Sequence, residues 1–281
     1  MARKIRGGLG IAAFPFDAPR DLFAFAERCE RWGVDSLWQT DRLHGENGQL
    51  EALATMAALA GCTERIKFGM NAVVASLRDP LLLAKQCATI DFLSRGRLLP
   101  VFGVGVEADP VWKATGRDPA ARGRLADEAL EIAQRLWRGE EVHFEGRHFR
   151  YAGARIAPLP LQQPLPCWIG GSSPAAIRRT ARLGSGWLGG LAKPDEVART
   201  IAAIHAELAK TGRTIDPDHY GATVLCPPDE SAAATLARAR EYLAAGATKL
   251  VLIPLARGTA AFGALAERLA GEVLPALEGR I

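Results

Sequence analysis

The chain has 281 residues, of which 48% are hydrophobic and 23% are charged, and its formal net charge is +4. Such a composition supports a large buried core, so it excludes the disordered and fibrous classes of protein. Basic and acidic residues are interspersed along the chain, which argues against a nucleic-acid-binding surface. We expect one large α/β domain that covers residues 1–281.

The five cysteines are widely spaced, and none forms a Cys-x-x-Cys pair. This use of cysteine is typical of reduced thiols in the cytoplasm. The basic N-terminal residues are followed by glycines, and no apolar stretch approaches the length of a membrane span. We therefore expect a cytoplasmic protein without a secretion signal or a membrane segment.

Short strand-like runs alternate with amphipathic helical runs along the chain. The predicted strands cover residues 5–11, 36–38, 66–74, 96–105, 167–169, 186–188, 221–225 and 248–253. The predicted helices cover residues 20–33, 49–61, 80–93, 121–138, 174–183, 194–211, 230–245 and 261–277. Strict alternation implies parallel strands with crossover helices, and eight such units form a (β/α)8 TIM barrel. An open, doubly wound sheet is the alternative.

Residues 139–166 interrupt this alternation after the fourth strand. The segment contains aromatic and basic residues and four prolines, at positions 158, 160, 164 and 166. We predict an inserted hairpin and loop rather than a linker between domains. In a barrel, the functional residues follow the strands, because the loops at the carboxyl ends of the strands meet at one mouth.

The segment PCWIGGSSP, residues 166–174, is the strongest local motif. A buried strand ends at Gly170 and Gly171, and Ser172 and Ser173 lead into a helix with a proline in its first turn. Glycines let a ligand approach the backbone, and free N–H groups at a helix N-terminus attract phosphate. The alternative is an ordinary strand-to-helix turn in which a serine caps the helix.

The segment GVGVE, residues 103–107, is rich in glycine but is not a dinucleotide fingerprint, because the third glycine and the following helix are missing. We interpret Gly103 and Gly105 as leaving room for a flat ring over the barrel mouth. Glu107 points either toward that ring or into solvent, which is the more common place for a loop glutamate.

Asp41, Arg42 and His44 follow the second predicted strand. A histidine in a mouth loop is a candidate general acid or base because its pKa lies near neutrality. A solvated loop histidine is the alternative. No two histidines have the spacing of metal ligands on a helix, so we expect no metal site.

Seven blocks of sequence extend these motifs. They are GCTERIKFG (61–69), LRDPLLLAK (77–85), DFLSRGRL (91–98), GVG (103–105), RGR with DE (122–128), WIGGSS (168–173) and GSGW (184–187). In this order they resemble the bacterial luciferase-like monooxygenases over roughly residues 5–190. The resemblance implies a (β/α)8 barrel with an insertion after strand four. It also implies that reduced FMN, or the deazaflavin coenzyme F420, binds at the mouth without covalent attachment.

The resemblance also assigns cofactor-binding residues. Asn71 and Ala72 correspond to the end of strand three, where the family often has a non-prolyl cis peptide behind the flavin ring. The segment after strand five corresponds to the region near the cofactor phosphate. The residues expected to bind the cofactor are Asn71, Ala72, Gly103, Gly105, Glu107, Gly170, Gly171, Ser172, Ser173 and Trp187.

The end of strand two departs from the family pattern. Many relatives have Asp-His there, whereas this chain has Asp41 and Arg42, and His44 follows two residues later. We expect these three residues to be catalytic, with His44 moving the proton. Arg42 stays charged and would stabilise developing negative charge.

These expectations together predict a monooxygenase that uses reduced FMN and oxygen to oxygenate a small organic substrate, with a separate flavin reductase as partner. Hydride transfer with the deazaflavin is the alternative within enzymes, and a flavin-binding protein without turnover is the alternative outside them. A sugar-phosphate isomerase on the same fold is a further reading, although paired carboxylates and a lysine base are not evident at the mouth. We expect a homo-oligomer that associates through the alanine-rich helix at residues 49–61, and no nucleic-acid or membrane partner.

Overall fold

Eight parallel strands close into a barrel in the computed structural model, which describes residues 4–46, 48–277 and 279–280. In chain order the strands are β1 (Lys4–Ile11), β2 (Ser36–Gln39), β3 (Lys67–Val74), β4 (Leu98–Gly103), β5 (Val142–Glu145), β6 (Arg150–Ala154), β7 (Trp168–Gly170), β8 (Gly186–Gly189), β9 (Tyr220–Cys226), β10 (Lys249–Pro254) and β11 (Gly279–Arg280). The barrel order is β10-β9-β8-β7-β4-β3-β2-β1, and pairing of β1 with β10 closes it. The predicted TIM barrel is confirmed.

Helices connect the barrel strands and cover them on the outside. They are α1 (Pro19–Arg31), α2 (Ala52–Cys62), α3 (Pro80–Leu93), α4 (Val111–Ala114), α5 (Arg122–Trp137), α6 (Pro174–Leu183), α7 (Pro194–Thr211), α8 (Ala232–Ala244), α9 (Thr259–Arg268) and α10 (Leu274–Leu277). Side-chain caps begin several of them: Asp79 accepts the Leu82 N–H and Ser231 accepts the Ala234 N–H. Within the described ranges, no helix has both the length and the apolar character needed to cross a bilayer.

The insertion after the fourth barrel strand is an antiparallel hairpin of β5 and β6, followed by a loop. This matches the hairpin and loop predicted for residues 139–166. The loop contains two cis prolyl bonds, Ala157–Pro158 and Gln163–Pro164.

Three elements differ from the sequence prediction. The helix expected from residue 49 begins at Ala52, because the Glu51 side chain accepts the Ala54 N–H and caps the helix there. The helix expected over residues 261–277 is divided into α9 and α10 by a π-helical turn at Leu269–Val273. The short helix α4, within the long loop after β4, was not predicted.

Large rings fill the middle of the barrel and require glycine beside them. Trp38 and Trp168 belong to an interior cluster together with aliphatic residues of β4, β8 and β10. A Cβ added at Gly69 would lie 2.2 Å from the Leu99 carbonyl oxygen and 2.7 Å from the Trp38 ring. The interior therefore accepts Trp38 only because β3 has no side chain at residue 69.

A buried ion pair lies at the end of the barrel opposite to the mouth. Lys249, at the start of β10, contacts Asp35 with its ammonium group and lies 5.7 Å above the Trp38 ring centroid. Burial lowers the pKa of Lys249 to about 8, although Asp35 favours the charged form. Burial would raise the pKa of Asp35, but Lys249 and Lys67 offset this effect and hold it below its usual value.

We expect Gly69→Ala to lower the free energy of unfolding by about 1–3 kcal/mol, because the new methyl group overlaps a backbone carbonyl and an indole ring. The matched control is Gly61→Ala in α2, where no atom lies within 4 Å of the added Cβ. That substitution should leave stability unchanged or raise it by up to about 1 kcal/mol, because alanine favours the helix. Urea unfolding of both variants measures the difference, and equal stabilities would contradict this account of the interior.

Candidate functional site

Small residues form an open floor where β3, β4 and β7 end. The peptide bond between Asn71 and Ala72 is cis, as the resemblance implied, and the β3–β4 register shifts between Met70 and Val73. A Cβ added at Gly103 would lie 3.3 Å from the Ala72 methyl group, and one added at Gly170 would lie 3.5 Å from it. Side chains at these two positions would fill the space around Ala72, so the floor as it stands suits a flat ring.

A hydrogen-bonded chain crosses the mouth from β3. The Asn71 side-chain amide donates to the Thr223 hydroxyl at 2.9 Å, and Thr223 donates to the Gly189 carbonyl at 3.1 Å. This chain fixes the orientation of the Asn71 amide. Its carbonyl oxygen has no hydrogen-bond partner in the part of the chain that the structure describes, so it can accept a hydrogen bond from a ligand. Sequence reasoning missed Thr223, although its place near the end of a predicted strand was a usable signal.

The loop after β7 combines backbone donors with a fixed carbonyl group. Gly171 has φ +97°, a conformation that favours glycine, and Ser173 caps α6 by accepting the Ala176 N–H. The Ser172 hydroxyl donates to Glu196 at 2.5 Å. The resulting turn leads directly into the N-terminus of α6, as the sequence motif predicted.

Trp187 supports this loop from behind. Its side chain is fully buried, and its indole N–H donates to the Gly171 carbonyl at 2.8 Å. A buried ring packed among the outer core residues has no face open to a ligand. The structure therefore corrects the direct cofactor contact expected of Trp187, because the ring positions the glycine loop instead.

The loop after β4 holds Gly105 and Glu107 at the rim. Gly105 has φ +78°, and a Cβ there would lie 2.9 Å from the Trp112 ring. The Glu107 side chain is 70% exposed and pairs with Arg122 at 2.8 Å. Of the two alternatives for Glu107, the structure favours the solvent-facing one, while Gly105 allows Trp112 to pack under the loop.

Asp41 belongs to a buried ion cluster that joins three mouth loops. Both of its carboxylate oxygens accept from Arg78, at 2.6 and 3.0 Å, and one also accepts the Val74 N–H at 3.0 Å. Arg78 also donates to Glu51 at 2.7 Å. Burial opposes the charged form of Arg78, but the hydrogen bonds and charges of Asp41 and Glu51 raise its pKa overall. The Asp41 side chain is fully buried, so it holds the loops together and is not placed to exchange protons with a substrate.

Arg42 and His44 lie in the exposed loop after β2. Neither side chain makes a hydrogen bond or ion pair within the described ranges, which omit the neighbouring residue 47. Beside them, the Gln49 amide and the Thr40 hydroxyl both donate to the Ala12 carbonyl, at 2.5 and 3.1 Å. Thr40 and Gln49 were not singled out from the sequence, and they tie the loop after β2 to the end of β1.

A metal site is not found among the described residues, since no cluster of three or more His, Cys, Asp or Glu side chains is present in them. The site thus contains a small-residue floor, an amide and hydroxyl chain, a glycine loop with backbone donors, and one exposed histidine.

We expect Arg78→Met to lower the free energy of unfolding by about 3–5 kcal/mol, because it leaves the buried Asp41 carboxylate without its counter-charge. Arg31→Met is the matched control, since Arg31 and its partner Glu27 are 61% and 66% exposed. Removal of that surface pair should cost less than about 1 kcal/mol. Chemical denaturation measures both, and a small loss in Arg78→Met would show that Asp41 does not depend on Arg78.

Comparison with known proteins identifies the family. The model of the luciferase-like monooxygenase family matches residues 4–276. An F420-dependent glucose-6-phosphate dehydrogenase from Amycolatopsis mediterranei (strain U-32) is 32% identical over 178 residues, which are 60% of this chain and 53% of that protein. The chain thus spans about half the length of this curated relative.

Two solved structures show the same fold. An F420-dependent secondary alcohol dehydrogenase in complex with an F420-acetone adduct has a TM-score of 0.84 and 19% identity, and the match covers 98% of this chain and all of that one. The FMN-bound oxygenating constituent of 3,6-diketocamphane monooxygenase from Pseudomonas putida has a TM-score of 0.79 and 16% identity, over 97% of this chain and 98% of that one. The chain belongs to the luciferase-like monooxygenase family and is related to its oxidoreductases.

Proposed function

We propose that the protein is an F420-dependent oxidoreductase that transfers a hydride between the deazaflavin coenzyme and a small organic substrate. The observation that carries the proposal is the 32% identity with an F420-dependent dehydrogenase, in a chain whose mouth has a floor suited to a flat ring. The FMN monooxygenase expected from the sequence has weaker support, because its solved relative is 16% identical and shares the fold alone.

The described residues suit such a coenzyme in two places. Gly103, Gly170 and Ala72 leave a flat surface for the tricyclic ring, and the free Asn71 carbonyl oxygen offers an acceptor at its edge. The backbone N–H groups after Gly171 suit a phosphate at the start of α6. When bound, the coenzyme supplies a two-electron acceptor for a hydride, so the chain's own residues have to bind, orient and move protons.

Oxidation of an alcohol also requires a proton acceptor. Asp41 is buried and accepts three hydrogen bonds, and the Arg42 guanidinium has N–H donors but no acceptor. Of Asp41, Arg42 and His44, His44 is therefore the residue that can take the hydroxyl proton from oxygen while the hydride leaves the carbon that carries this hydroxyl. Arg42 would stabilise the negative charge that develops on the oxygen. In this reaction the substrate itself reduces the coenzyme, so the flavin reductase expected for FMN chemistry is not required.

The expected homo-oligomer fits this proposal through the outer face of α2. Ala54 and Ala58 are exposed there, and they line one groove with Leu50 and with Phe23 of the neighbouring α1, which are each 41% exposed. An apolar surface on two adjacent helices suits a second copy of the chain. Sedimentation analysis measures the association, and a monomer at tens of micromolar would contradict it.

We expect the protein to bind coenzyme F420 with micromolar or tighter affinity, measured by fluorescence titration, and to bind FMN more weakly. Gly103→Val should abolish tight binding, because the added methyl groups occupy the floor next to Ala72. Gly61→Ala, which lies outside the mouth, should bind as the unaltered protein does. Oxygen uptake with reduced FMN, together with no binding of F420, would replace this proposal with the monooxygenase. Tight binding without turnover on any alcohol or aldehyde tested would favour the flavin-binding protein.

We expect His44→Ala to reduce hydride transfer by about 10²–10⁴-fold, the usual contribution of a general base, with little change in coenzyme affinity. His143→Ala is the matched control, because this histidine lies on the inserted hairpin and pairs only with Glu141 in the described part of the chain. Stopped-flow absorbance measures the rate of coenzyme reduction in both variants. Equal rates in His44→Ala and the unaltered protein would leave His44 as a solvated loop residue.

A further inference from the structure

We propose that Glu196 selects the charge of the cofactor phosphate, and that it favours a phosphodiester with one negative charge over a phosphomonoester with two. The inference rests on the proposed function, in which the deazaflavin coenzyme, a phosphodiester, is preferred to FMN, a phosphomonoester. Glu196 is then a specificity-determining residue that acts next to the phosphate loop and does not touch the reacting atoms.

The contact that carries the proposal joins the loop between β7 and α6 to helix α7. Glu196 lies in the first turn of α7, and its carboxylate accepts the Ser172 hydroxyl hydrogen bond at 2.5 Å. A serine hydroxyl has one proton to donate. Because Ser172 gives that proton to Glu196, its side chain cannot also donate to a phosphate oxygen.

The remaining donors of the loop are neutral backbone groups. The N–H groups of Ser172, Ser173 and Ala175 have no acceptor among the residues that the structure describes. Trp187 holds the Gly171 carbonyl, so the Ser172 N–H, on the opposite edge of the same trans peptide bond, points away from Trp187 and can face an anion. A phosphate bound there would therefore be held by neutral donors, with a carboxylate one hydrogen bond away.

A fixed negative charge at this place penalises each charge of the phosphate group bound next to it, and distant charges of the ligand are screened. A phosphomonoester carries about −1.5 to −2 at neutral pH, whereas a diester carries a single charge. Near a protein surface, one additional unit charge at such a separation changes affinity by about tenfold. The carboxylate thus tolerates the diester and weakens binding of the monoester.

The test compares Glu196→Gln with a matched control, Asp195→Asn. Glutamine keeps a carbonyl oxygen that can accept from Ser172, removes the negative charge and replaces the second oxygen by an NH₂ group. Asp195 lies in the same first turn, and its substitution removes the same charge, but it pairs with Arg199 at 2.9 Å and is 64% exposed. Both purified variants are titrated with FMN, riboflavin and coenzyme F420 at low ionic strength, and thermal melts verify that they are folded.

In Glu196→Gln we expect FMN affinity to rise by up to about 10²-fold relative to riboflavin, which has no phosphate, and by up to about tenfold relative to F420, whose phosphate carries one charge less. Asp195→Asn should change neither ratio by more than twofold. Equal changes for FMN and riboflavin, or the same gain in Asp195→Asn, would overturn the assignment of Glu196 while leaving F420 binding intact. Failure of the unaltered protein to bind F420 would instead overturn the proposed function, and the ratio of FMN to riboflavin would still decide the role of Glu196. If neither the unaltered protein nor Glu196→Gln bound any of the three ligands, both the proposed function and the role of Glu196 would be overturned.

Discussion

Close packing inside the barrel determines where a ligand can lie. Indole rings occupy the middle layer, and Trp38 fits there because Gly69 leaves space beside it. One layer nearer the mouth, the side chains become small, and a Cβ added at Gly103 or Gly170 would lie 3.3 or 3.5 Å from the Ala72 methyl group. The tryptophan layer therefore lies under the floor. The floor is open because the residues above that layer, Gly103, Gly170 and Ala72, have almost no side chain. The proposed binding of a flat cofactor ring at this end depends on that change in side-chain size.

The loops around the floor are held by polar contacts rather than by the barrel itself. The buried Asp41–Arg78–Glu51 cluster connects the end of β2, the loop after β3 and the start of α2. On the other side, Trp187 and Glu196 fix the loop after β7. These contacts cost desolvation, and they leave each loop with a defined shape before a ligand arrives. Preorganisation of this kind suits a site that has to align a ring, a substrate carbon and a proton acceptor.

The eight strands and most helices could be predicted from the sequence, because alternating apolar runs and proline or glycine boundaries are local signals. The glycine loop of residues 170–173 and the cis peptide of Asn71 were also anticipated, the latter only through family resemblance. The roles of Asp41 and Trp187 were not. Asp41 meets Arg78, 37 positions further along the chain, and Ser172 meets Glu196, 24 positions away. Such pairs form because the loops meet in the folded barrel. The periodicity of the sequence indicates helices and strands but not which loop residues will meet.

The ion pair of Lys249 and Asp35 affects the side from which a ligand can reach the barrel interior. The Lys249 ammonium group and the Trp38 ring are buried and fill the barrel interior at the end opposite to the mouth. In the proposed function, coenzyme and substrate would therefore both enter from the mouth, and the one that lies deeper would have to arrive first and leave last. With its ring on the Ala72 floor, the coenzyme would bind before the substrate and leave after the product.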